Sequence, residues 1–278
     1  MPELPEVETV KRTLLKEVKD KKILSAQIYW DNIIAYPSIK EFENQIKNQI
    51  IHDIKRRGKW LMFELDDYYL LSHLRMEGKY YIRKNTDPRE KHQHVIFHFS
   101  DNTDLRYHDT RKFGKMYLLK KDEALNTKPL SELGLEPWDK KLTPEYLKQK
   151  FHKKPIKTEL LDQNIIVGIG NIYADEILFL SKINPKTIAT DLTVDDYQNI
   201  IDFTKKVLEK AIEKGGTTIL SYESSEGVHG RFQNELLVHT KKECPICHSK
   251  INKINVGGRG TYYCEKCQKE RYSWKKQK

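Results

Sequence analysis

An α+β fold is predicted: an N-terminal antiparallel β-sandwich led by a helix, then a helical region that ends in a cysteine-bearing tail. Three observations predict it. Between Lys22 and Leu119, short runs rich in Tyr, Ile, Phe and Val alternate with polar residues and are broken by AspAsp, GluGly and AsnThrAsp turns, the pattern of half-buried antiparallel strands. Beyond Lys141 the apolar spacing becomes helical. All four cysteines fall between Cys244 and Cys267 as two tight pairs, which suits metal ligation in a reducing compartment better than a disulfide framework. The chain has 278 residues. That is about twice a typical domain, enough for two separate cores.

Taken in order, the opening stretch MPELPEVETV leads into a helix in which Val7, Val10, Leu14 and Val18 recur at helical spacing. Pro5 suits the first turn of that helix, and Glu6 and Glu8 suit the positive end of its dipole. The sandwich strands include KWLMFEL from Lys59 and HVIFHF from His94, interrupted by one helical stretch from Lys40 to Ile50. By alternation His92, His94 and His98 share a strand face; core or solvated histidines explain this more simply than a second metal site.

The stretch Ser131 to Lys141, with Gly134 and Pro137, breaks both periodicities and marks a hinge, placed at residues 134–141. Thr143 followed by Pro144 starts one helix, and Thr193 starts another that runs through Tyr197, Ile200, Ile201, Val207 and Leu208 to Gly215-Gly216. The expected domains are therefore residues 1–133, 142–240 and 241–278. The last of these is too polar to hold a core unaided.

Lys plus Arg number 50 against 40 for Asp plus Glu, a difference of +10, and the pI is near 9.1. A polyanionic partner such as nucleic acid is expected; a membrane surface would also suit the charge. No apolar run approaches the roughly 18 residues of a spanning helix, and the first 20 residues are too charged for a signal peptide. A soluble cytoplasmic protein is the expectation.

Cys244-x2-Cys247, sixteen residues, then Cys264-x2-Cys267 has the spacing of a four-thiolate tetrahedral zinc site. Four thiolates close the coordination shell, so one structural zinc ion is expected, pinning two β-ribbons whose tip is NVGGRGTY. Arg259 at that tip suits a phosphate contact and suits a solvated turn equally well.

If Met1 is removed, Pro2 presents a secondary amine. An α-amino group has a pKa of about 7.7–8.0, so a useful fraction is uncharged and nucleophilic near neutrality. Condensed with an aldehyde, a secondary amine gives an iminium with an obligatory positive charge, which acts as an electron sink for eliminating β substituents. Glu3 adjoins the nitrogen and Glu6 lies one turn on, as candidates for the proton transfers. Read without further context, the same residues make an ordinary helix start.

The opening resembles that of the formamidopyrimidine-DNA glycosylases, bacterial enzymes that excise oxidised purines. The resemblance continues in family order at Arg57-Gly58-Lys59-Trp60-Leu61, His73-Leu74-Arg75-Met76-Glu77-Gly78, Asp109-x-Arg111-x-Phe113-Gly114, Leu160-Leu161-Asp162-Gln163 with Gly168-x-Gly170-Asn171-Ile172-Tyr173, Phe232-Gln233 and Gly258-Arg259-Gly260-Thr261, covering nearly the whole chain. It implies Pro2 as nucleophile at the sugar C1′, Glu3 as proton-transfer partner, Glu6 as a supporting acid, and Lys59 on the phosphate beside the lesion.

It also implies that Met76, Arg111 and Phe113 enter the duplex where a base has been flipped out, since a vacated stack must be filled. Taken alone, Met76 and Phe113 read more readily as core residues, although their flanks read as turns. His73, Asn171 and Arg259 fall within DNA-backbone motifs, and Tyr222 within a segment folded over the flipped base. Gly168-Ile169-Gly170-Asn171 fails as a dinucleotide loop, because Tyr173 stands where glycine is required. The resemblance makes it the turn of a helix-two-turns-helix domain.

The implied protein is a monomer acting on damaged double-stranded DNA, with no nucleotide cofactor and no membrane. Two rivals are an endonuclease VIII-like enzyme for oxidised pyrimidines and a non-catalytic zinc-ribbon DNA-binding protein. The chain departs from the family where His248 follows Cys247 and where the approach HTKKE to Cys244 lacks glycine. Neither change removes a metal ligand.

Overall fold

The structure, a computed structural model, describes residues 1–217 and 231–269. The chain divides into two compact units, one of Met1–Glu132 with Gly215–Arg231 and the other of Leu133–Lys214 with Phe232–Lys278. No helix among the described residues is long and apolar enough to cross a membrane.

In the first unit the elements run α1 (Leu4–Val18), β1 (Ile23–Ile28), β2 (Ile34–Tyr36), α2 (Ile39–Ile46), β3 (Asp53–Arg57), β4 (Trp60–Glu64), β5 (Tyr68–His73), β6 (Lys79–Lys84), β7 (Gln93–Phe99), β8 (Thr103–His108) and β9 (Lys115–Lys120). Two sheets form, one in the order β1-β7-β8-β6 and one in the order β2-β9-β5-β4-β3. The alternation in the sequence works as expected: Phe63, Leu70, Val95, Phe97, Leu105 and Tyr107 turn into one core, which α1 joins through Val7, Val10, Leu14 and Val18.

Three local expectations are corrected. The pairing is not wholly antiparallel, because β2 runs parallel to β9, with Ile34 beside Met116. The helix expected over Lys40 to Ile50 stops at Ile46, where the chain turns and Asn48 takes a left-handed conformation (φ 66°). His92 leaves the alternation because it lies ahead of β7 with φ 71°. His94 bonds the Asp109 carbonyl at 3.0 Å and His98 the Asp104 carboxylate at 2.7 Å, while the His92 ring packs edge-on against His94 and His108.

Topology decides where the functional turns fall. Trp60 pairs with His73, and His73 with Lys115, so one end of the β4-β5-β9 ladder carries the β3–β4 hairpin turn, the exit from β5 and the entry to β9. Turns 74–78 and 109–114 therefore emerge from the same end of the sandwich.

In the second unit, α3 (Pro144–Lys150), α4 (Ile156–Leu160), α5 (Asn171–Leu180) and α6 (Val194–Glu213) precede a ribbon of β10 (Asn252–Val256) and β11 (Arg259–Tyr263). Thr143 and Thr193 cap α3 and α6, accepting from Tyr146 N at 3.2 Å and Asp196 N at 3.2 Å. A single antiparallel ribbon lies between the cysteine pairs where two were expected; the first pair has only the isolated Glu243–Lys250 bridge beside it.

Candidate functional site

The first cluster gathers around the start of α1. Pro2, Glu3 and Glu6 are all buried, although a chain terminus is ordinarily solvated. Glu6 Oε2 accepts from the Glu3 amide at 2.9 Å, and Oε1 accepts from the Thr217 amide at 2.9 Å and hydroxyl at 3.1 Å. Gly216 (φ 79°) is required there, since a Cβ would come within 2.8 Å of Glu6 Oε1. Glu6 thus ties the first turn of α1 to the stretch that follows α6. The terminal amine seen here is that of Met1, one residue ahead of the Pro2 ring nitrogen. Partial desolvation lowers the pKa of that amine below 8.0, although Met1 itself is 38% exposed; Glu3 and Glu6 oppose the shift, and Lys59 and Arg111 reinforce it.

Lys59 is buried in the hairpin turn after Gly58, whose φ of 55° lets β3 and β4 join through two residues. Arg56 secures that turn, donating to the Gly58 carbonyl at 2.9 Å and to Glu8 of α1 at 3.1 Å. The sequence marks Glu8 only as a helix-start acid and Arg56 not at all, because a cross-element ion pair leaves no local pattern. His73 is buried edge-on to Trp60, and its Nδ1 accepts from the Arg75 amide at 3.0 Å. Its proton therefore sits on Nε2. Burial first, then Arg75 and Lys59, lower its pKa to about 3, so it donates as a neutral imidazole.

Met76, Arg111 and Phe113 lie on the two neighbouring turns. Phe113 is 49% exposed and Met76 half-buried, so neither is a core residue. Arg111 stacks its guanidinium over Phe113 at 4.8 Å.

The second cluster is in the helical unit. Gln163 shapes the turn before α5, accepting from Gly168 N at 2.9 Å and donating to the Ile169 and Leu161 carbonyls at 2.9 and 3.0 Å. Asn171, at the first turn of α5, donates to the Gly260 carbonyl at 2.9 Å, which brings it beside the ribbon tip. Arg259 is exposed at that tip, after Gly257 (φ 56°) and Gly258 (φ 77°).

Below them, buried Lys157 bonds Asp175 and the Asn171 carbonyl. Asp175 also accepts from His239 at 2.7 Å and Tyr262 N at 3.2 Å. This network leaves no mark in the sequence, because a buried lysine looks like any other lysine in a basic chain. Tyr222 lies outside the described residues.

The ligand atoms of Cys244, Cys247, Cys264 and Cys267 all lie within 4.8 Å of one another. The Cys244–Cys267 and Cys247–Cys264 Sγ pairs are 3.8 and 3.4 Å apart. Tetrahedral Zn–S bonds of about 2.3 Å place sulfurs roughly 3.8 Å apart, so the donor set fits one zinc ion.

A β-sandwich with a buried amino terminus, together with a helical unit that ends in a four-thiolate ribbon, defines the class of zinc-finger DNA glycosylases. Comparison with known proteins agrees. Residues 1–116 match the formamidopyrimidine-DNA glycosylase N-terminal domain, residues 133–223 its H2TH domain, and residues 241–269 a zinc finger found in FPG and IleRS. The formamidopyrimidine-DNA glycosylases of Shouchella clausii (strain KSM-K16) and Bacillus subtilis (strain 168) are each 48% identical over 273 residues, covering 96% of this chain and 99% of theirs. Two Lactococcus lactis structures superpose closely. A mutant FPG with Fapy-dG containing DNA has a TM-score of 0.90 at 38% identity, covering 97% of this chain and 100% of that one. A complex with abasic site containing DNA has a TM-score of 0.89 at 38% identity, covering 96% and 100%.

The chain belongs to the formamidopyrimidine-DNA glycosylase family. It is a DNA glycosylase with abasic-site lyase activity, it acts on damaged DNA in base-excision repair, and its four cysteines form a structural zinc finger.

Proposed function

We propose that the substrate lesions are oxidised purines, 8-oxoguanine and formamidopyrimidines, and that strand cleavage proceeds by β,δ-elimination through Pro2 once Met1 has been removed. One observation carries this reading: Pro2, just ahead of α1, is buried together with the carboxylates of Glu3 and Glu6. A neutral amine at physiological pH is the nucleophile that the chemistry needs.

The Pro2 nitrogen bonds C1′, and the bond from C1′ to the base breaks, the base leaving with the electron pair and taking up a proton. Opening of the C1′–O4′ bond gives the iminium, with Glu3 delivering the proton to O4′. The C2′ proton is then lost and the 3′ phosphate departs; loss of the C4′ proton expels the 5′ phosphate. Hydrolysis of the iminium frees Pro2. Lys59 and His73 hold the flanking phosphate, the lysine as a cation and the histidine as a neutral donor. Asn171 and Arg259 grip the DNA backbone, and Met76, Arg111 and Phe113 fill the space of the flipped nucleotide.

Glu6 holds Glu3 and Thr217 in place instead of acting as an acid, because its oxygens already accept three hydrogen bonds. Glu6→Gln should therefore slow base excision while leaving the shape of the pH–rate profile intact.

Borohydride added during turnover of formamidopyrimidine duplex should trap enzyme on DNA, with the crosslink at residue 2 by peptide mass spectrometry. A crosslink at Lys59, or fully active protein whose intact mass retains Met1, overturns the mechanism. Faster release of thymine glycol than of 8-oxoguanine overturns the lesion class.

A further inference from the structure

Turns 74–78 and 109–114 carry the three residues assigned to the vacated stack, and one side chain lies against both. Tyr107, in β8, is wholly buried, its ring against Tyr80 at 5.1 Å. Its hydroxyl points to the ends of both turns. A Cβ at Gly114 would lie 1.8 Å from Tyr107 Oη and 2.7 Å from Cζ, and a Cβ at Gly78 would lie 2.3 Å from the same Oη. Real Cβ atoms do not approach so closely, so both positions must be glycine while Tyr107 is present.

Neither glycine is needed for its backbone conformation, since neither is among the residues with positive φ. At Gly114 all three nearest atoms belong to Tyr107; at Gly78 the Leu74 carbonyl crowds the site as well, at 2.6 Å.

The second turn is held on the same atom set. The carboxylate of buried Asp109 accepts from Arg111 N at 3.0 Å and Gly114 N at 2.8 Å, and the Tyr107 hydroxyl reaches it at 3.4 Å. The Asp109 carbonyl accepts from His94 at 3.0 Å. The first turn closes on itself through Gly78 N to the Leu74 carbonyl at 2.9 Å. The hydroxyl thus occupies the one place where a displacement of either turn must displace the other. At 3.4 Å its hydrogen bond is weak, so its effect is chiefly steric.

We propose that Tyr107 is a positioning residue that couples the Met76 turn to the Arg111–Phe113 turn, so that the three side chains enter the duplex in one fixed arrangement and read the opposite base together. This rests on the assignment of those three residues to the vacated stack. Tyr107 is wholly buried, so it acts through the turns and not on the substrate itself. Its removal loosens the separation of two turns that must fill a single gap, and misplacements of about 1 Å at such positions cost of the order of a hundredfold in rate at worst.

The experiment uses the full zinc-loaded chain and the variant Tyr107→Phe, which keeps the ring and its contact with Tyr80 and deletes only the oxygen. Excision of 8-oxoguanine is measured opposite cytosine and opposite adenine, alongside cleavage of a single-stranded abasic oligonucleotide, which needs no stack to be filled. Tyr107→Phe should leave single-strand cleavage and melting temperature nearly unchanged while the ratio of excision opposite cytosine to excision opposite adenine changes by about tenfold. A double-mutant cycle supplies the second readout: Met76→Ala and Phe113→Ala should be non-additive in the wild-type background and additive in Tyr107→Phe.

An unchanged preference with persistent non-additivity overturns the coupling. So does an equal loss in every activity with a lower melting temperature, which would make Tyr107 a packing residue only. If Met76→Ala and Phe113→Ala themselves leave duplex excision untouched, the assignment of the stack-filling residues fails, and this outcome is distinct from the other two.

Discussion

The sandwich and the ribbon position their functional residues by different physics. In the sandwich, Lys59, His73 and the two turns stand on a core of more than twenty buried apolar residues, and their placement comes from strand register and close packing. Around the ribbon the apolar cluster is small: Phe179, Val238 and Ile251 with two of the cysteines. Asn171 and Arg259 there rely on thiolates and on the buried Lys157–Asp175–His239 network. A large apolar core yields by degrees when one contact is lost. A framework of metal ligands and buried charge does not, because removal of one member leaves the others uncompensated.

Metal removal gives the largest expected effect. Structural zinc contributes apparent binding energies of about 10–16 kcal/mol in small fingers, so a chelator or Cys264→Ala should unfold the ribbon and lower DNA affinity by about a hundredfold or more. Circular dichroism should show the sandwich strands intact and fluorescence anisotropy the lost affinity. Affinity that survives stoichiometric zinc loss would show that packing, not metal, holds the ribbon.

The buried network is next. Asp175→Ala leaves the Lys157 ammonium without its carboxylate at full burial, a change that typically costs about 3–5 kcal/mol. Urea unfolding followed at the ribbon should register the loss, and Lys157→Met in the same chain should restore part of it. A loss that the second substitution does not relieve would trace to the orphaned Tyr262 amide and His239, which share the same carboxylate.

In the sandwich the matching electrostatic effect is smaller and its sign is fixed by burial. The folded pKa of His73 is lowered to about 3 from an ordinary 6.5. Between those values the unfolded chain takes up a proton that the folded chain refuses. The contribution is therefore full above about pH 6.5 and shrinks as pH falls towards 3. At pH 5 the loss relative to pH 8 is about 2 kcal/mol for this one group. His73→Gln should flatten that part of the stability–pH curve, and nitrogen NMR should find the His73 ring neutral at pH 5. A ring that titrates near 6.5 would place it in water and end its reading as a neutral donor.

The same contrast explains what the sequence could show. Strand alternation and helix spacing record which side chains face a core, so α1, α6 and the sandwich strands can be read directly from Val7 to Val18, Tyr197 to Leu208, and the runs at Lys59 and His94. Four cysteines at fixed spacing record a metal. Contacts between elements distant in the chain record nothing local. Arg56 with Glu8, Glu6 with Thr217 and the Lys157 network all join such segments, and each emerges only once the chain is folded. The parallel β2–β9 pair escapes for the same reason: three residues carry no sign of direction.

The smallest expected effect sharpens the comparison most, because it tests graded yielding in the sandwich. Lys112, between Arg111 and Phe113, takes a left-handed backbone conformation (φ 58°) and rests its ammonium 3.8 Å over the Trp30 ring. Lys115, just past the same turn, bonds the Asn32 carbonyl. The stretch around Trp30, which packs against the margin of the core, thus braces the Arg111–Phe113 turn with a half-buried cation–π contact worth about 0.5–1 kcal/mol. Trp30→Leu should lower the melting temperature by only a degree or two and raise the KM for lesion duplex by about the same energy, a few-fold, with turnover unchanged. Lys112→Met should have a smaller effect, and adding it to Trp30→Leu should cost nothing further, since the contact the two side chains share is already lost. Additive losses would show that the two side chains act independently. A collapse of activity in Trp30→Leu would show that this turn, like the ribbon, fails all at once.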